Sequence, residues 1–282
     1  MTNTLEFCKI SVLARDSFKP PFFIGSSVRG ALGHALKSIV CIKDTAQCNG
    51  CEFAKSCVFF GFYECKNVYH NFRFDFELGM PRYDFGIFLF GKEVENAPVI
   101  LAALHKMLCE IGLKSSDKTL RFKEIFIFVN DEFCFGGKDS SNIKMPLEFG
   151  ERFDTNDFAT RVKIKLITPL RIKKNNVFVR DSSLEVGDIF RSIYQRKLAI
   201  LGKERDKCPP FSGAITAKNL RYIELYRKSC AQKTAMNLGG LIGEIVIDDL
   251  DKDSYELLKI GELVGIGKQC SFGLGKITIC ED

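Results

Sequence analysis

The chain is organised around one glycine-rich run, Gly265-Ile266-Gly267-Lys268-Gln269-Cys270-Ser271-Phe272-Gly273-Leu274-Gly275-Lys276-Ile277. The run lies between a predicted helix that ends near residue 263 and a predicted last strand over 276–279. Glycine permits positive φ and close approach of another backbone, and clustered N–H groups beside lysine suit phosphate oxygens. A tight helix-to-strand turn is the plain alternative. The lysines favour a phosphate ligand, and the residues assigned to it are Gly265, Gly267, Lys268, Ser271, Gly273 and Gly275.

Length and composition limit the classes of protein to which the chain can belong. Its 282 residues allow one large domain or two ordinary ones. The net charge of +6 favours a local basic groove over a general polycation. The 12 cysteines, without an apolar signal segment at the N-terminus, indicate a reducing cytoplasm. No stretch approaches the roughly 18 apolar residues of a membrane helix, so no membrane partner is expected.

A helix is predicted to begin at Gly25-Ser26-Ser27, where either serine could cap the first turn. Its apolar residues recur at helical spacing and predict one buried stripe, namely Val28, Ala31, Leu32, Ala35, Leu36 and Ile39. The opposite face then carries Arg29, Gly30, Gly33, His34 and Lys37. Glycine costs a helix interior about 1 kcal/mol relative to alanine. Two glycines on an exposed face therefore indicate that another group approaches it closely.

The three histidines fall in different settings. His34 shares its polar helix face with two cations, near a helix N-terminus that favours phosphate, and we interpret it as functional. A solvated surface histidine is the alternative. His105 lies between apolar residues of a helix predicted over 98–111 and is predicted to be structural. His70 precedes a predicted strand and is a second candidate for catalysis.

Four cysteines follow the first helix with the spacing Cys41-x6-Cys48-x2-Cys51-x5-Cys57. A Cys-x2-Cys pair with two further thiols nearby is typical of a tetrahedral metal site. In a reducing compartment we favour metal over disulfides, with structural zinc as the first assignment and an iron–sulfur cluster as the second. Chance is the alternative, since eight of the 12 cysteines lie elsewhere. The predicted site would staple a Cys-rich insertion at about residues 41–66.

The order of the predicted elements defines the fold. The first half gives strand, helix, two strands, helix and strand, which is the ferredoxin-like βαββαβ pattern. The second half repeats this order with a hairpin inserted after its first strand. We therefore predict an α+β protein of two tandem ferredoxin-like (RRM-like) domains, 1–140 with the Cys-rich insertion and 158–282 with the glycine-rich loop. A glycine- and serine-bearing segment over 136–157 would connect them.

A basic row is predicted on the first strand of the second domain. Residues 161–166 alternate between cationic and apolar side chains, so the cations share one face of the strand. A solvated sheet face is the alternative, but the lysine-bearing loop in the same domain favours a polyanion. The row and its continuation toward a predicted Asn175-Asn176 turn consist of Arg161, Lys163, Lys165, Arg171 and Lys173.

Several stretches in order carry a resemblance to a known family: Phe23–Leu36 with the cysteine segment after it, Phe88–Gly91, Thr168–Lys173, Leu238–Glu244 and Gly261–Gly275. Taken together they resemble the CRISPR repeat-processing endoribonucleases of the RAMP superfamily, specifically the group with a four-cysteine segment. The resemblance covers nearly the whole chain, and its combined order is far more specific than any single stretch.

This resemblance implies two ferredoxin-like domains and cleavage of CRISPR repeat RNA without a catalytic metal or other cofactor. The ribose 2′-hydroxyl would attack the scissile phosphate, leaving a 2′,3′-cyclic phosphate and a 5′-hydroxyl. His34 matches the family's histidine in the first helix and is the candidate for proton transfer, with Lys37 or Arg29 stabilising the developing charge. Many relatives carry a histidine where this chain has Gly265, which leaves more of the work to His34.

Two other classes of function compete with this interpretation. A non-catalytic crRNA-binding RAMP subunit of a CRISPR effector complex would use the same loop and row without cleaving. A metal-dependent redox or regulatory protein would be built around the cysteines, but the basic features span both halves of the chain. The expected partners are repeat RNA or crRNA and a CRISPR effector complex.

Overall fold

The computed structural model describes residues 4–43, 48–66, 68–115, 118–137, 143–146, 148–228 and 235–281. The chain divides into two compact units, Leu5–Arg152 and the part from Phe153 onward, which also includes Thr4. The segment predicted to connect the domains, 136–157, spans the boundary between these units. We call the units the first and second domain.

The first domain is built on an antiparallel sheet in the order β2-β3-β1-β6-β7, with β8 pairing with β1. A separate hairpin joins β4 and β5. The four strands β2, β3, β1 and β6 are in the ferredoxin-like order. The strands are β1 (Glu6–Ala14), β2 (Phe72–Asp75), β3 (Phe85–Phe90), β4 (Leu113–Ser115), β5 (Lys118–Leu120), β6 (Ile125–Val129), β7 (Glu132–Gly137) and β8 (Glu151–Arg152).

Two helices complete the core of the first domain, α1 (Gly25–Val40) and α2 (Ala97–His105). A π-helical segment, Lys106–Ile111, continues α2 to the end of the helix predicted there. A second π-helical segment, Phe60–Glu64, follows the cysteines. The predicted insertion therefore contributes to the core, because Phe59 and Phe62 are buried in the same cluster as the sheet and helices.

The second domain repeats the plan with an antiparallel sheet in the order β12-β15-β9-β16. Two small hairpins, β10–β11 and β13–β14, lie outside this sheet. Its helices are α3 (Val186–Ile200) and α4 (Lys252–Val264). Its strands are β9 (Val162–Leu170), β10 (Lys173–Lys174), β11 (Val177–Phe178), β12 (Ala214–Ile223), β13 (Tyr226–Lys228), β14 (Ala235–Asn237), β15 (Gly240–Asp248) and β16 (Ile277–Glu281).

The predicted α+β fold with two ferredoxin-like domains is confirmed by these sheet orders. The predicted Asn175-Asn176 turn joins β10 to β11, with φ of 51° and 64°, the left-handed values that a two-residue hairpin turn requires. The sequence predicts a strand over 221–227, but the strand β12 runs from Ala214 to Ile223. Its residues are mostly exposed, so they lack the apolar alternation that marks a strand in sequence.

Candidate functional site

Helix α1 positions the candidate catalytic histidine. Val28, Leu32, Ala35 and Leu36 are buried in the core, which confirms the main part of the predicted apolar stripe. The predicted serine cap is wrong, because the N-cap is residue 24 and no side chain caps it. The hydroxyl of Ser27 instead donates to the carbonyl of residue 24 at 2.8 Å. The helix is therefore held by its packed face and not by a polar cap.

His34 lies on the exposed face of α1 and is the only exposed histidine of the three in the chain. Gly30 is on the same face one turn earlier, and a Cβ at that position would have no atom within 4 Å. The imidazole is therefore flanked by open space on the helix surface. A group as large as an RNA backbone could reach it there without displacing a side chain at position 30.

Arg29 does not share this face, so the prediction that it lies beside His34 is wrong. Its side chain is 8% exposed, and its guanidinium carbon lies 4.4 Å from the centroid of the Tyr63 ring. The hydroxyl of Tyr63 donates to the Arg29 carbonyl oxygen at 2.9 Å. Arginine commonly stacks on an aromatic face in this way. The buried stacking leaves Arg29 poorly placed to neutralise a phosphate at the surface.

Gly33 is explained by the same aromatic ring. A Cβ at residue 33 would lie 2.6 Å from Cε1 of Tyr63, closer than two carbon atoms can approach. The group that approaches this glycine closely is therefore the protein's own Tyr63. Burial raises the pKa of the Tyr63 hydroxyl, so it remains a hydrogen-bond donor at neutral pH. The aromatic-rich stretch 58–63 was the signal in the sequence for this contact, and our prediction missed it.

Lys37 is the remaining cation of the predicted catalytic set. It is half-buried, and its ammonium lies 5.4 Å from the centroid of the Phe59 ring. It follows His34 by three residues, so the two side chains are neighbours on the helix surface. Lys37 is therefore the better placed of the two predicted cations to act with His34.

The other two histidines have different surroundings. His105 is 3% exposed, and its ring meets Phe135 edge-on with the centroids 5.0 Å apart. Its Nδ1 lies 3.8 Å from Oε1 of Glu110. These contacts agree with the predicted structural role. His70 is half-buried beside Phe72, with the ring centroids 5.6 Å apart.

We expect Gly33 and Gly30 to respond in opposite ways to alanine. Gly33→Ala should destabilise the protein by about 1–3 kcal/mol, because the new methyl group forces the Tyr63 ring to move. Gly30→Ala is the matched control and should stabilise by up to about 1 kcal/mol, since alanine is the better helix former and has open space there. Thermal unfolding of both variants measures this, and equal melting temperatures would contradict the packing role of Gly33.

In the second domain, the glycine-rich loop is closed by its own backbone. Gly267 pairs with Arg171 in a parallel bridge, and a Cβ at Gly267 would lie 2.5 Å from the Arg171 carbonyl oxygen. A Cβ at Gly275 would overlap the carbonyl of Ile266, and the Gly275 carbonyl oxygen accepts the N–H of Ile266 at 2.9 Å. Glycine is thus required at both positions by the packing of the loop. A larger residue at 267 would disturb the loop whether or not RNA binds there.

Exposure separates the six loop residues predicted to bind phosphate. Lys268 is exposed, whereas Gly265, Gly267, Ser271, Gly273 and Gly275 are all buried. Gly265 ends α4 with φ of 80° and donates its N–H to Gly261. Among these six residues Lys268 is therefore the exposed one, and a tightly packed turn holds it. The prediction that all four glycines serve the approach of a ligand has no support in this packing.

The predicted basic row lies on β9 with the expected alternation. Lys163 and Lys165 point away from the buried Val162, Ile164 and Leu166. The sheet places an acidic residue beside the row, because Lys165 lies opposite Glu244 of β15.

At the beginning of the row, Arg161 pairs with Asp248 at 3.1 Å. At its far end Lys173 is exposed but Arg171 is only 5% exposed. The free positive charge of the row is therefore smaller than its sequence indicates, and the lysines carry most of it.

The four predicted metal ligands are all described in the structure, and three of them line the same cavity. Cys41, Cys51 and Cys57 line one cavity of about 240 Å³ together with apolar residues. Cys48 has a raised pKa, chiefly because it is desolvated. Within the described ranges, no group of three or more His, Cys, Asp or Glu side chains is arranged to hold an ion. The donor set as placed does not fit zinc or an iron–sulfur cluster, and that assignment stays a prediction from spacing alone.

Metal analysis tests that prediction directly. If the cysteine spacing reflects a structural zinc site, the purified protein carries about one zinc per chain. Cys51→Ser should then lower the melting temperature, while Cys208→Ser, outside the segment, should not. Protein without metal whose four thiols all react freely in the folded state would contradict the assignment.

Comparison with known proteins gives the fold of the chain and a family match for its second domain. The chain is similar in fold to a Cas6 protein in a product complex, with 14% identity over 99% of this chain and 100% of that one, and a TM-score of 0.53. It is also similar to a RAMP protein binding different RNA substrates, with 10% identity over 98% and 100% of the two chains and a TM-score of 0.54. At such identities the likeness shows the fold alone, which is the double ferredoxin-like fold of RAMP proteins.

Two family models match the sequence. Residues 4–134 match one described as an N-terminal domain, and residues 164–277 match that of the CRISPR-associated endoribonuclease Cas6. The second domain thus matches the Cas6 endoribonuclease family, and the resemblance inferred from sequence is confirmed for this part of the chain. The subgroup with four cysteines is not confirmed by these matches. No curated protein matches the chain.

One further solved structure shares the fold. The chain is similar to a protein of a partial Cas6-RT-Cas1–Cas2 complex, with 11% identity over 99% of this chain and 46% of that one, and a TM-score of 0.54. In the described part of the chain, no helix has the length and apolar character needed to cross a membrane.

Proposed function

We propose that the protein is the endoribonuclease that cleaves CRISPR repeat RNA in the precursor transcript to release guide crRNA. The match of residues 164–277 to the Cas6 endoribonuclease model supports an RNA-cleaving activity. The observation that carries the proposal for this chain is the exposed His34 beside the open surface at Gly30. A titratable side chain on a rigid helix, reachable by a large substrate, is what proton transfer to an RNA backbone requires.

The proposed reaction needs no metal ion and no other cofactor. The 2′-oxygen of the upstream ribose forms a bond to phosphorus as the bond from phosphorus to the 5′-oxygen breaks. The 2′-hydroxyl loses its proton and the leaving 5′-oxygen gains one, which gives a 2′,3′-cyclic phosphate and a 5′-hydroxyl. His34 performs one of these two transfers. Lys37 supplies positive charge to the phosphorane, a contribution that is largest when the cation is fixed before reaction.

Gly265 supports the assignment to a single histidine. The resemblance noted in the sequence implies an imidazole at this position in many relatives, and here it is a buried glycine with φ of 80°. A side chain at that backbone conformation is strained. Among the three histidines of the chain, His34 is exposed, His70 is half-buried and His105 is buried.

The partners that fit this function are repeat RNA and its crRNA product, within CRISPR assemblies such as the Cas6-containing complexes that share the fold. Binding without cleavage, as a crRNA-binding RAMP subunit, is the competing outcome. Incubation of labelled repeat RNA with the protein in chelator separates the two. Cleavage to a 2′,3′-cyclic phosphate in chelator supports the proposed reaction, and tight binding without cleavage supports the other.

His34→Ala should slow single-turnover cleavage by something on the order of 10²–10⁴ and leave RNA affinity largely intact. His70→Ala is the matched control, since it removes a half-buried imidazole from the same domain. The rate constant and the dissociation constant are measured separately, so that loss of folding or binding is not mistaken for loss of chemistry. Cleavage at the original rate in His34→Ala would overturn the assignment and transfer it to His70.

Charge reversal on β9 tests whether RNA follows the basic row. A Lys163→Glu/Lys165→Glu double variant should weaken repeat RNA binding and flatten its dependence on salt, because each lost phosphate contact removes up to about one unit of log–log slope. Arg161→Glu is the control, because Arg161 is already paired with Asp248 and should matter less. An unchanged salt slope in the double variant would place the RNA elsewhere.

A further inference from the structure

Arg171 is buried at the end of β9, although it belongs to the predicted RNA-binding set. Its side chain is 5% exposed, and one guanidinium nitrogen donates to the carbonyl of Gly239. Its guanidinium carbon lies 4.2 Å from the centroid of the Phe178 ring. The group is thus clamped between the main chain before β15 and the aromatic ring of the β10–β11 hairpin. A side chain held in this way is a poor first contact for a phosphate arriving from solvent.

The main chain of the same residue holds the glycine-rich loop. The Arg171 carbonyl accepts the N–H of Lys268 at 2.8 Å, and Arg171 pairs with Gly267 in the parallel bridge. The other side of Gly267 is fixed by Ser192 of α3, whose Oγ accepts the Gly267 N–H at 2.8 Å. The backbone of Lys268, the exposed cation of the loop, therefore lies in a turn whose position depends on Arg171.

We propose that Arg171 is a positioning residue that sets the place of Lys268, and that it does not itself bind phosphate. The inference rests on the proposed function, since it assumes that Lys268 contacts RNA. The clamp on the guanidinium fixes the Arg171 main chain, and the main chain fixes Lys268 through one hydrogen bond. The loop thereby holds its cation in place before RNA arrives, which lowers the entropic cost of binding.

One feature of the site would favour direct contact instead. Nε of Arg171 is buried and has no hydrogen-bond partner among the described residues. A phosphate at that atom would satisfy it. The two roles predict different results for Arg171→Lys. A lysine ammonium can still contact a phosphate, whereas the clamp needs a planar guanidinium that stacks on a ring.

The test is a double-mutant cycle on repeat RNA binding across a salt series. Lys268→Ala and Arg171→Met should each lose affinity on the order of tenfold and about 0.7 units of slope for a single-stranded contact. In the Lys268→Ala background, Arg171→Met should cost less than about twofold more, because both changes remove the same contact. Arg171→Lys should behave like Arg171→Met, since lysine cannot rebuild the clamp.

Two further variants keep the test decisive. Phe178→Leu removes the ring beneath the guanidinium while every charge is kept, and it should weaken binding only when Lys268 is present. Lys165→Ala is the matched control, and its effect should add to that of Lys268→Ala, because it removes an exposed cation of the same domain, whereas Lys173 lies over the Phe178 ring itself. Thermal unfolding of each variant shows whether it is folded. If Arg171→Met does not fold, the comparison of Phe178→Leu with and without Lys268→Ala decides between the two roles of Arg171.

The outcomes distinguish failure of the inference about Arg171 from failure of the proposed function. In the Lys268→Ala/Arg171→Met variant, a second full loss of RNA affinity and of salt slope would show that Arg171 contacts RNA and would overturn the inference. Retained binding in Arg171→Lys would do the same. Additive losses of RNA affinity when Phe178→Leu is combined with Lys268→Ala would overturn it as well. Wild-type affinity in Lys268→Ala, with repeat RNA still cleaved, would overturn the inference and leave the function standing. Unmodified protein that neither binds nor cleaves repeat RNA would overturn the proposed function.

Discussion

The carbonyl oxygen of Arg171 occupies the space in which a side chain at residue 267 would begin, and the loop of the second domain depends on that contact. The oxygen also accepts the N–H of Lys268, so one backbone group fixes both the shape of the turn and the origin of its exposed cation. Any residue with a Cβ at 267 would push the two strands of chain apart. Because ferredoxin-like domains bring this turn beside the end of their first strand, the fold itself supplies the contact.

A similar exclusion fixes the helix of the first domain. Gly33 lies against the Tyr63 ring, and the Tyr63 hydroxyl holds the carbonyl of Arg29 one turn earlier. His34 is the next residue after Gly33, so its direction from the helix follows from how the ring and the helix meet. In each domain a glycine admits a neighbouring group of the protein itself, and the polar residue next to it is thereby presented at the surface.

The sequence was sufficient for the fold because alternation, helical spacing and element order are local and repeated signals. The Asn175-Asn176 turn was also predictable, since asparagine tolerates the left-handed conformation that such a turn requires. What sequence could not decide was the neighbour of each polar residue. Arg29 falls on the polar side of a helical projection, yet a ring contributed from about 30 residues away buries it. Likewise, a glycine that admits a ligand and one that admits its own backbone look the same in sequence.

Several arginines of the chain are buried, which limits the basic residues that RNA can reach. Arg29, Arg73 and Arg171 each lie over an aromatic ring, and Arg196 donates to the carbonyl of Val264. With 26 phenylalanines and no tryptophan, the chain offers phenylalanine and tyrosine faces on which guanidinium groups stack. Of the cations predicted to bind RNA, the exposed lysines are then Lys165, Lys173 and Lys268, while Lys163 is half-buried and Arg161 is paired with Asp248. Such strongly hydrated point charges contact phosphate without reading bases, so any preference for a repeat sequence has to come from groups other than this lysine set.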